Sequence, residues 1–451
     1  MSTRGNFGSK LGIVLATAGS AVGLGNVWRF PYMTGENGGA AFLLIYIVCI
    51  LLLGIPGMLS EFLVGRHGQA NAAKAYDKLS GGRPWRYVGY LGILTGTIIL
   101  GFYAVVAGWC CEYLFASLRG SALGGVEYVK NYFGEFSSDL WRPVLWGVLF
   151  LLVTHLVVVN GVRKGIERAS KWLMPILLVL LIVLVIAACL LPGAAEGIRF
   201  MLMPDFSKVD SNTALEALGQ AFFSLSLGTA CLCTYASYFH RETNLLQAAG
   251  QITLLDTLIA ILAGLMIFPA AASVGVSPDS GPSLIFITLP NVFQQAFGGM
   301  TLMGYAVSIM FYALLVFAAL TSTISMHEIG TAFFTEELHI PRWKAAWIIT
   351  IATVVICVLC SWSVGAMPGI QVAGMSLMDF CDHLTANVML PLGGMLACLF
   401  VGWYIPRQVV FDEFTNGGRN NRRYYRLCLF VIRYVCPLGI FSIFLHQLGI
   451  L

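Results

Sequence analysis

The chain has 451 residues, of which 58% are hydrophobic and only 11% are charged, and its mean hydropathy is +0.81. Soluble domains carry about 25% charged residues, and a helix that crosses a bilayer needs about 20 mostly apolar residues. The composition therefore excludes a soluble globular protein and predicts an all-α polytopic membrane protein.

Apolar segments predict eleven transmembrane helices along the chain. They lie near residues 11–32, 40–65, 87–118, 143–160, 170–191, 214–239, 248–274, 302–334, 345–362, 376–403 and 427–447. Lysine and arginine accumulate on the cytoplasmic side of membrane proteins. With the N-terminus inside, 19 of the 26 lysines and arginines fall on the inner side, five on the outer side and two within spans. We therefore expect an inner (plasma) membrane protein with a cytoplasmic N-terminus and an external C-terminus. The net charge of +4 reflects this topology and gives no indication of a nucleic-acid partner.

The first and sixth predicted spans have unusual interiors. AGSAVGLGNVWRFP (18–31) places three glycines, Asn26 and Arg29 in one span, and GQAFFSLSLGTACLCTYASY (219–238) adds two glycines and several hydroxyl residues. Glycine weakens helices, and arginine is costly in lipid. Glycines can also simply permit close helix packing. Interrupted spans at corresponding positions of two halves predict inverted repeats with a binding site between them.

Several motifs resemble the neurotransmitter:sodium symporter family, in its bacterial, leucine-transporter-like amino-acid branch. They are AGSAVGLGNVWRFP, ENGGAAF (36–42), GIP with a glutamate at 61, FFSLSLG (222–228) and ALTSTIS (319–325). The resemblance implies a five-plus-five inverted repeat with broken helices 1 and 6. It places the first repeat at 1–191, the second at 192–404, and a cytoplasmic loop with the eleventh helix at 405–451.

The resemblance further implies a sodium-coupled symporter that imports an amino acid by alternating access. The partners would be the amino acid, sodium ions and the lipid bilayer, with the oligomeric state left open. Glycine at position 23 stands where monoamine carriers of the family have aspartate, so the substrate is expected to bring its own carboxylate, as amino acids do. The resemblance also implies a roomy, mostly apolar pocket, which favours a hydrophobic or aromatic amino acid. The alternatives are a symporter of a small polar or zwitterionic osmolyte and a transporter-like amino-acid sensor. An enzyme is not expected, since the sequence has no nucleophile–base or metal-ligand constellation.

Two sodium sites follow from the same resemblance, both made of oxygen ligands that suit a hard cation. The first would use Ala21, Asn26, Ser224 and Asp256, and the second Gly19, Val22, Ala318, Thr321 and Ser322. Tyr46, Gln220 and Ser224 match the chloride site of animal members, but Asp256 already supplies a negative charge. We therefore expect no chloride requirement.

The amino-acid site would lie against the break in the first span. The carboxylate would meet the backbone N–H groups near Leu24 and Gly25 and the hydroxyl of Tyr103. The substrate-binding residues are expected to be Ser20, Ala21, Leu24, Gly25, Ile99, Tyr103, Phe223, Ser224, Ser226, Thr229, Ser322 and Met326. Position 230 is alanine, where the family commonly has glycine, and the larger side chain is expected to narrow the neighbouring wall of the substrate pocket.

Gates and a hinge complete the expectations. Arg29 would close the outer side with Asp382, directly or through water, with Asp379 as the competing partner. Arg4 would pair with Glu336 on the inner side, beside Phe7 where the family usually has tryptophan. Gly165 and Pro175 resemble the motif at which the family unwinds the fifth span, although a plain helix kink is an equally good interpretation.

Overall fold

The computed structural model describes residues 5–121, 124–275, 284–297, 301–419 and 422–447. Within these residues, nine uninterrupted helices are long and apolar enough to cross a membrane. They are numbered here by their place in the chain: span 2 (Ala40–Gly68), span 3 (Arg86–Arg119), span 4 (Arg142–Val159), span 5 (Val162–Cys189), span 7 (Leu245–Ser273), span 8 (Leu302–Glu337), span 9 (Arg342–Val364), span 10 (Leu377–Tyr404) and span 11 (Arg423–His446).

Span 1 is a bent pair of helices. Lys10–Ala21 and the following segment Gly25–Glu36 meet at 54°, and the residues directly after the bend form a π-helical turn, Gly25–Arg29. Ser9 begins the first half, because its hydroxyl accepts the N–H of Gly12. The predicted interruption of the first span is therefore present.

Span 6 is also interrupted. Its first helix, Ser211–Ser224, and its second, Cys231–Ala236, are joined by six residues of turn and bend, 225–230. Ser226, Gly228 and Ala230 in this linker have φ values of +54°, +84° and +61°, so the chain cannot continue as a right-handed helix. Both predicted breaks are thus confirmed, and the all-α architecture with them.

Shorter elements connect the spans. The helices are Ala72–Ser80, Val126–Ser138, Ala194–Leu202, Leu289–Phe297 and Arg407–Thr415, with a π-helical turn Leu284–Thr288 and a 3₁₀ turn Phe206–Lys208. One antiparallel hairpin, Gln371–Val372 with Met375–Ser376, precedes span 10, and the sequence analysis did not predict it. Two of these helices, Val126–Ser138 and Leu289–Phe297, lie in the long polar segments 119–142 and 275–300.

Close packing around the two breaks depends on small residues. Span 3 passes beside the linker of span 6, where a Cβ added to Gly92 would lie 2.6 Å from the Cβ of Ala230. Gly228 lies equally close to span 10, because a Cβ there would stand 2.2 Å from the carbonyl oxygen of Leu390. The breaks therefore lie in the packed centre of the helix bundle, where their free backbone groups face protein and not lipid.

Candidate functional site

The break in span 1 presents its backbone to span 3. The N–H of Leu24 donates to the hydroxyl of Tyr103 at 2.9 Å, and both residues are buried. A Cβ on Gly23 would lie 2.4 Å from Ser322 Oγ and 2.8 Å from Tyr103 Oη. Glycine at position 23 is therefore needed for the backbone to approach these two hydroxyls.

Three polar side chains meet behind the break. The amide of Asn26 donates to Ser224 Oγ at 3.2 Å and to Asp256 Oδ1 at 2.8 Å, and Ser224 Oγ donates to Asp256 Oδ2 at 2.8 Å. All three are 0–1% exposed. Spans 1, 6 and 7 thus bring together three of the predicted ligands of the first sodium ion, and Ala21 ends the helix directly before the break.

The chloride-site residues surround the same cluster. Tyr46 of span 2 is fully buried beside Ser224 and Asp256. Gln220 donates to the carbonyl of Gly25 at 3.3 Å, whereas its own Oε1 is buried without a hydrogen-bond donor among the described residues. The Asp256 carboxyl group lies in the same buried environment.

A second oxygen cluster joins spans 1 and 8. The carbonyl of Val22 accepts from Thr321 Oγ1 at 3.2 Å and from Ser322 Oγ at 3.1 Å, and Thr321 also donates to the carbonyl of Ala318 at 2.9 Å. A Cβ added to Gly19 would lie 3.3 Å from the Cβ of Thr321. The five predicted residues of the second sodium site therefore converge, and their oxygen atoms form a donor set that suits sodium.

Hydroxyl groups line the neighbouring wall of the predicted substrate pocket. Ser20 donates to Ser325 Oγ at 2.9 Å, Ser226 donates to the carbonyl of Ser20 at 3.2 Å, and Thr229 donates to the carbonyl of Ser226 at 2.7 Å. These hydroxyl protons are committed within the protein, so the wall offers a substrate few free donors. The predicted apolar members, Ile99 and Met326, are 4% and 8% exposed. Ser325 was missing from the predicted set.

The outer end of the site is capped by Arg29 and Phe223. The guanidinium carbon of Arg29 lies 4.2 Å from the centroid of the Phe223 ring. No ion pair within 4 Å joins Arg29 to Asp382, although the structure describes both residues. Asp379 instead accepts a hydrogen bond from Ser376, whose hydroxyl caps the N-terminus of Leu377–His383. The competing partner is thus engaged in its own helix.

The predicted inner gate lies partly outside the described residues, because Arg4 is not among them. Glu336 accepts the backbone N–H of Asn71 at 2.7 Å. Phe7 is 1% exposed and packs edge-on against Tyr235 and Tyr238, with ring centroids 5.8 and 6.1 Å apart. His240 donates to the carbonyl of Phe7 at 2.7 Å. Phe7 is therefore buried among aromatic residues at this end of span 6.

Glu167 at the start of span 5 secures the residues next to Phe7. It accepts from the N–H of Gly8 at 2.5 Å and from Ser9 Oγ at 2.9 Å, and it forms an ion pair with Lys171 at 2.6 Å. No motif in the sequence indicated a role for Glu167. Its position between basic residues of a predicted cytoplasmic segment made it look like an ordinary surface charge.

Span 5 remains helical at the predicted hinge. Gly165 lies in a π-helical turn, Val162–Glu167, and Pro175 lies inside the following helix, Arg168–Cys189. A Cβ on Gly165 would stand 2.0 Å from the carbonyl oxygen of Val157. Close packing against span 4 therefore requires glycine at position 165, which the sequence alone did not reveal.

Glu61 of span 2 is another residue to which the sequence analysis gave no role. It is 3% exposed, and its carboxylate accepts from the N–H of Gly228 at 2.6 Å and of Cys233 at 3.4 Å. Gly228 lies within the break in span 6 and Cys233 lies in the first turn of the helix that follows it, so Glu61 replaces helical acceptors that the break removes. A solitary acid within an apolar span was the signal that could have identified it.

His327 and Glu328 are adjacent, fully buried polar residues of span 8. Glu328 accepts from Tyr238 at 2.6 Å and forms an ion pair with Arg342, while His327 contacts Thr331 and Thr350 at 3.0 and 2.8 Å. Among the described residues no group of three or more histidine, cysteine or acidic side chains could hold a metal ion.

Comparison with known proteins agrees with this geometry. The sequence profile of the Sodium:neurotransmitter symporter family matches residues 4–125 and 127–450. The Bacillus subtilis (strain 168) protein named "Uncharacterized sodium-dependent transporter YhdH" is 38% identical over 447 residues, covering 98% of this chain and 97% of that protein. A sodium-dependent transporter of Haemophilus influenzae, also named as uncharacterized, is 34% identical, covering 99% and 98% of the two chains.

A solved structure matches over nearly the whole chain. The crystal structure of MhsT in complex with L-phenylalanine superposes with a TM-score of 0.90 at 40% sequence identity, covering 99% of this chain and all of that one. The fold is therefore the leucine-transporter-type fold with helices 1 and 6 broken. Together with the family profile, this match shows a sodium-dependent, multi-pass membrane symporter. The chain belongs to the sodium:neurotransmitter symporter family.

Proposed function

We propose that this symporter imports a hydrophobic or aromatic amino acid together with two sodium ions. The contact between the Leu24 N–H and the Tyr103 hydroxyl carries the proposal, because a carboxylate inserted there can accept from both groups. Gly23 leaves no space for a side-chain carboxylate of the protein at this point. The substrate must then supply its own, as an amino acid does.

Sodium coupling is proposed to act through the cluster of Asn26, Ser224 and Asp256. A sodium ion bound to these oxygens would also be reached by the substrate carboxylate beside Leu24. Each ligand then raises the affinity of the site for the other, which is a reciprocal coupling free energy. The second ion would lie among the oxygens of Val22 and Thr321. Because Asp256 supplies the negative charge, transport is proposed not to require chloride.

The hydrophobic substrate class rests on the pocket wall and on MhsT. Ser20, Ser226 and Thr229 direct their hydroxyl protons to acceptors within the protein, and a polar side chain would find few free donors. MhsT was crystallised with L-phenylalanine. The hydroxyl-rich composition of the same wall is the observation that favours the alternative, a small polar or zwitterionic osmolyte.

Alternating access is proposed to use the two ends described above. Arg29 with Phe223 and Asp382 would close the outer end, and Phe7 with the Arg4–Glu336 pair would close the inner end. The excess of lysine and arginine on the predicted inner side supports a plasma-membrane protein with its N-terminus in the cytoplasm.

Uptake into proteoliposomes tests the proposal. The purified protein is supplied with a panel of labelled amino acids and betaine-type osmolytes, with an inward sodium gradient or with potassium in its place. Sodium-dependent accumulation of an apolar or aromatic amino acid is the expected result, unchanged when gluconate replaces chloride. Accumulation of the osmolytes alone would select the alternative. Sodium-dependent binding without accumulation would identify a sensor.

A further inference from the structure

A groove lies on the outside of the helix bundle, remote from the central site, between the first turns of spans 1 and 7. Its volume is about 680 Å³. Span 1 contributes Lys10, Leu11 and Val14, and span 7 contributes Gln247, Gln251 and Leu254. Both spans begin at the predicted cytoplasmic face, so the groove runs from that face along the surface that meets lipid.

Both walls change from polar to apolar in the same direction. Gln247, Gln251 and Leu254 share one face of span 7, because they are spaced by four and three residues. Gln247 and Leu254 are separated by about 10 Å along the helix axis, since each residue rises about 1.5 Å. Leu254 is 69% exposed and Leu11 is 61% exposed. The groove therefore offers amides at the face and bare hydrocarbon further into the membrane.

Cations predominate at the polar end. Lys10 and Arg419 line the groove, and Glu242 is the acidic residue among its lining side chains. A second cavity of about 490 Å³ shares Glu242 and Arg419 with the groove, and Arg241 lines it. Its other charged lining residues are Asp412 and the ion pair of Arg66 with Glu413, so the two cavities together have four lysines and arginines and three acidic residues. The polar end thus has a net positive charge.

We infer that this groove binds one anionic phospholipid of the cytoplasmic leaflet. Lys10 and Arg419 hold the phosphate-bearing headgroup, Gln247 and Gln251 reach its polar oxygens, and an acyl chain covers Leu11 and Leu254. Basic pockets between helices on the cytoplasmic side bind acidic headgroups in this way. A free phosphate leaves the exposed leucines uncovered, so the lipid accounts for both ends of the groove.

Occupancy has a consequence for span 1. Lys10 is the first residue of Lys10–Ala21, and the preceding Gly8 and Ser9 are bound to Glu167 of span 5. A lipid that contacts Lys10 and span 7 together links the inner half of span 1 to its neighbour. Lipid binding in this groove depends on the membrane position of the chain and not on the identity of the substrate.

Lipid retention tests the inference. The full-length protein is equilibrated with mixed phosphatidylglycerol and phosphatidylcholine micelles, and bound lipids are counted by native mass spectrometry. Lys10→Gln/Arg419→Gln is compared with Lys164→Gln/Lys344→Gln, which removes two exposed cations that do not line the groove. Each basic residue near an anionic headgroup contributes about fivefold, so the groove variant should bind phosphatidylglycerol roughly 30-fold more weakly.

Further arms separate the possible sources of the signal. Leu254→Gln, which keeps both cations, should also weaken lipid binding, and soluble glycerol phosphate at millimolar concentration should not displace the lipid. Displacement by glycerol phosphate, with no effect of Leu254→Gln, would show an ordinary anion site and overturn the inference. Equal lipid retention by both double variants would overturn it as well. Thermal unfolding of each variant confirms that the proteins compared are folded.

Discussion

The N–H of Leu24 donates to the hydroxyl of Tyr103 across 2.9 Å, which joins the break in span 1 to span 3. This contact places a backbone donor and a side-chain hydroxyl at one point in a buried region. A hydrogen bond to a charged group contributes about 1.5–3 kcal/mol. The two residues thus give the carboxylate site its clearest test.

Tyr103→Phe should weaken amino-acid binding roughly 10- to 150-fold, because the variant loses a hydrogen bond to the substrate carboxylate. Equilibrium binding of the labelled substrate in sodium measures the change. Tyr113→Phe is the matched control in the same span, since that buried hydroxyl has no hydrogen-bond partner among the described residues. Equal affinities of the two variants would place the carboxylate elsewhere.

Gly23→Ala should abolish sodium-dependent binding. The added methyl group would lie within 2.4 Å of Ser322 Oγ and 2.8 Å of Tyr103 Oη, so the break must move away from both. Gly250→Ala in span 7 is the control, because a Cβ there meets no atom within 4 Å. Binding and thermal stability are measured together. A Gly23→Ala protein that binds normally would contradict the close approach seen here.

Asp256→Asn should make uptake sensitive to chloride and lower the apparent sodium affinity about tenfold or more. The substitution replaces the carboxylate that accepts hydrogen bonds from Asn26 and Ser224 with a neutral amide. Hydrogen bonds to a charged acceptor are about twice as strong as those between neutral groups. Sodium titrations of uptake in chloride and in gluconate measure both effects. Chloride-independent uptake by the variant would show that the carboxylate does not act as the fixed anion.

Pro175→Ala should slow the exposure of the second sodium site to the inner side. Alanine restores a backbone N–H within Arg168–Cys189 and makes local opening of span 5 more costly. Gly165→Ala is a poor test, since its methyl group would collide with the Val157 carbonyl and lower stability directly. Cysteine accessibility at the inner end, with and without sodium, measures the opening. Unchanged accessibility and unchanged uptake in Pro175→Ala would support a plain helix kink.

Acid should weaken the contact between span 2 and the helix Arg407–Thr415. Burial alone would raise the pKa of Glu413. The hydrogen bond with His67 at 3.0 Å and the charge of the Arg66 guanidinium lower this pKa by more than burial raises it, so it lies below the ordinary value. The stabilisation is therefore complete above the unfolded pKa of about 4.3 and is lost as the pH falls through the lower folded value. No loss is expected between pH 5 and pH 7 from this group.

Melting temperatures from pH 7 to pH 3 measure this effect. Glu413→Gln should melt below the wild-type protein at pH 7, and the difference should shrink below about pH 4 as the wild-type carboxylate gains a proton. Asp412→Asn, one residue away, is the control. A difference that stays constant down to pH 3 would exclude titration of Glu413 as its cause.

Long apolar segments made most of the helix positions predictable. Span 4 was expected at 143–160 and lies at Arg142–Val159, whereas span 5 was expected from 170 and begins at Val162. The charged run RKGIER hides the helical pattern at its start. The hairpin of Gln371–Val372 with Met375–Ser376 was missed because each strand has only two residues and no alternation to detect.

The site residues were reached chiefly through family motifs and not through periodicity. Asn26, Ser224 and Asp256 are separated by up to 230 residues, and only the tertiary fold brings them within hydrogen-bond distance. Glu167 received no role because a hydrogen bond from a distant backbone N–H leaves no pattern in the sequence. Glu61 was noted only as part of a family motif, although a solitary acid in an apolar span indicates a buried role. The contacts of Glu61 and Glu167 became visible only in the structure.

Glu61 of span 2 accepts one backbone N–H from within the interruption in span 6 and another from the helix that follows it. Because one carboxylate accepts both hydrogen bonds, we expect spans 2 and 6 to move together. If they separated during transport, two buried N–H groups would lose their acceptor at once, at a cost of about 1–3 kcal/mol for each. Distances between labels on spans 2 and 6 should therefore stay constant through the transport cycle.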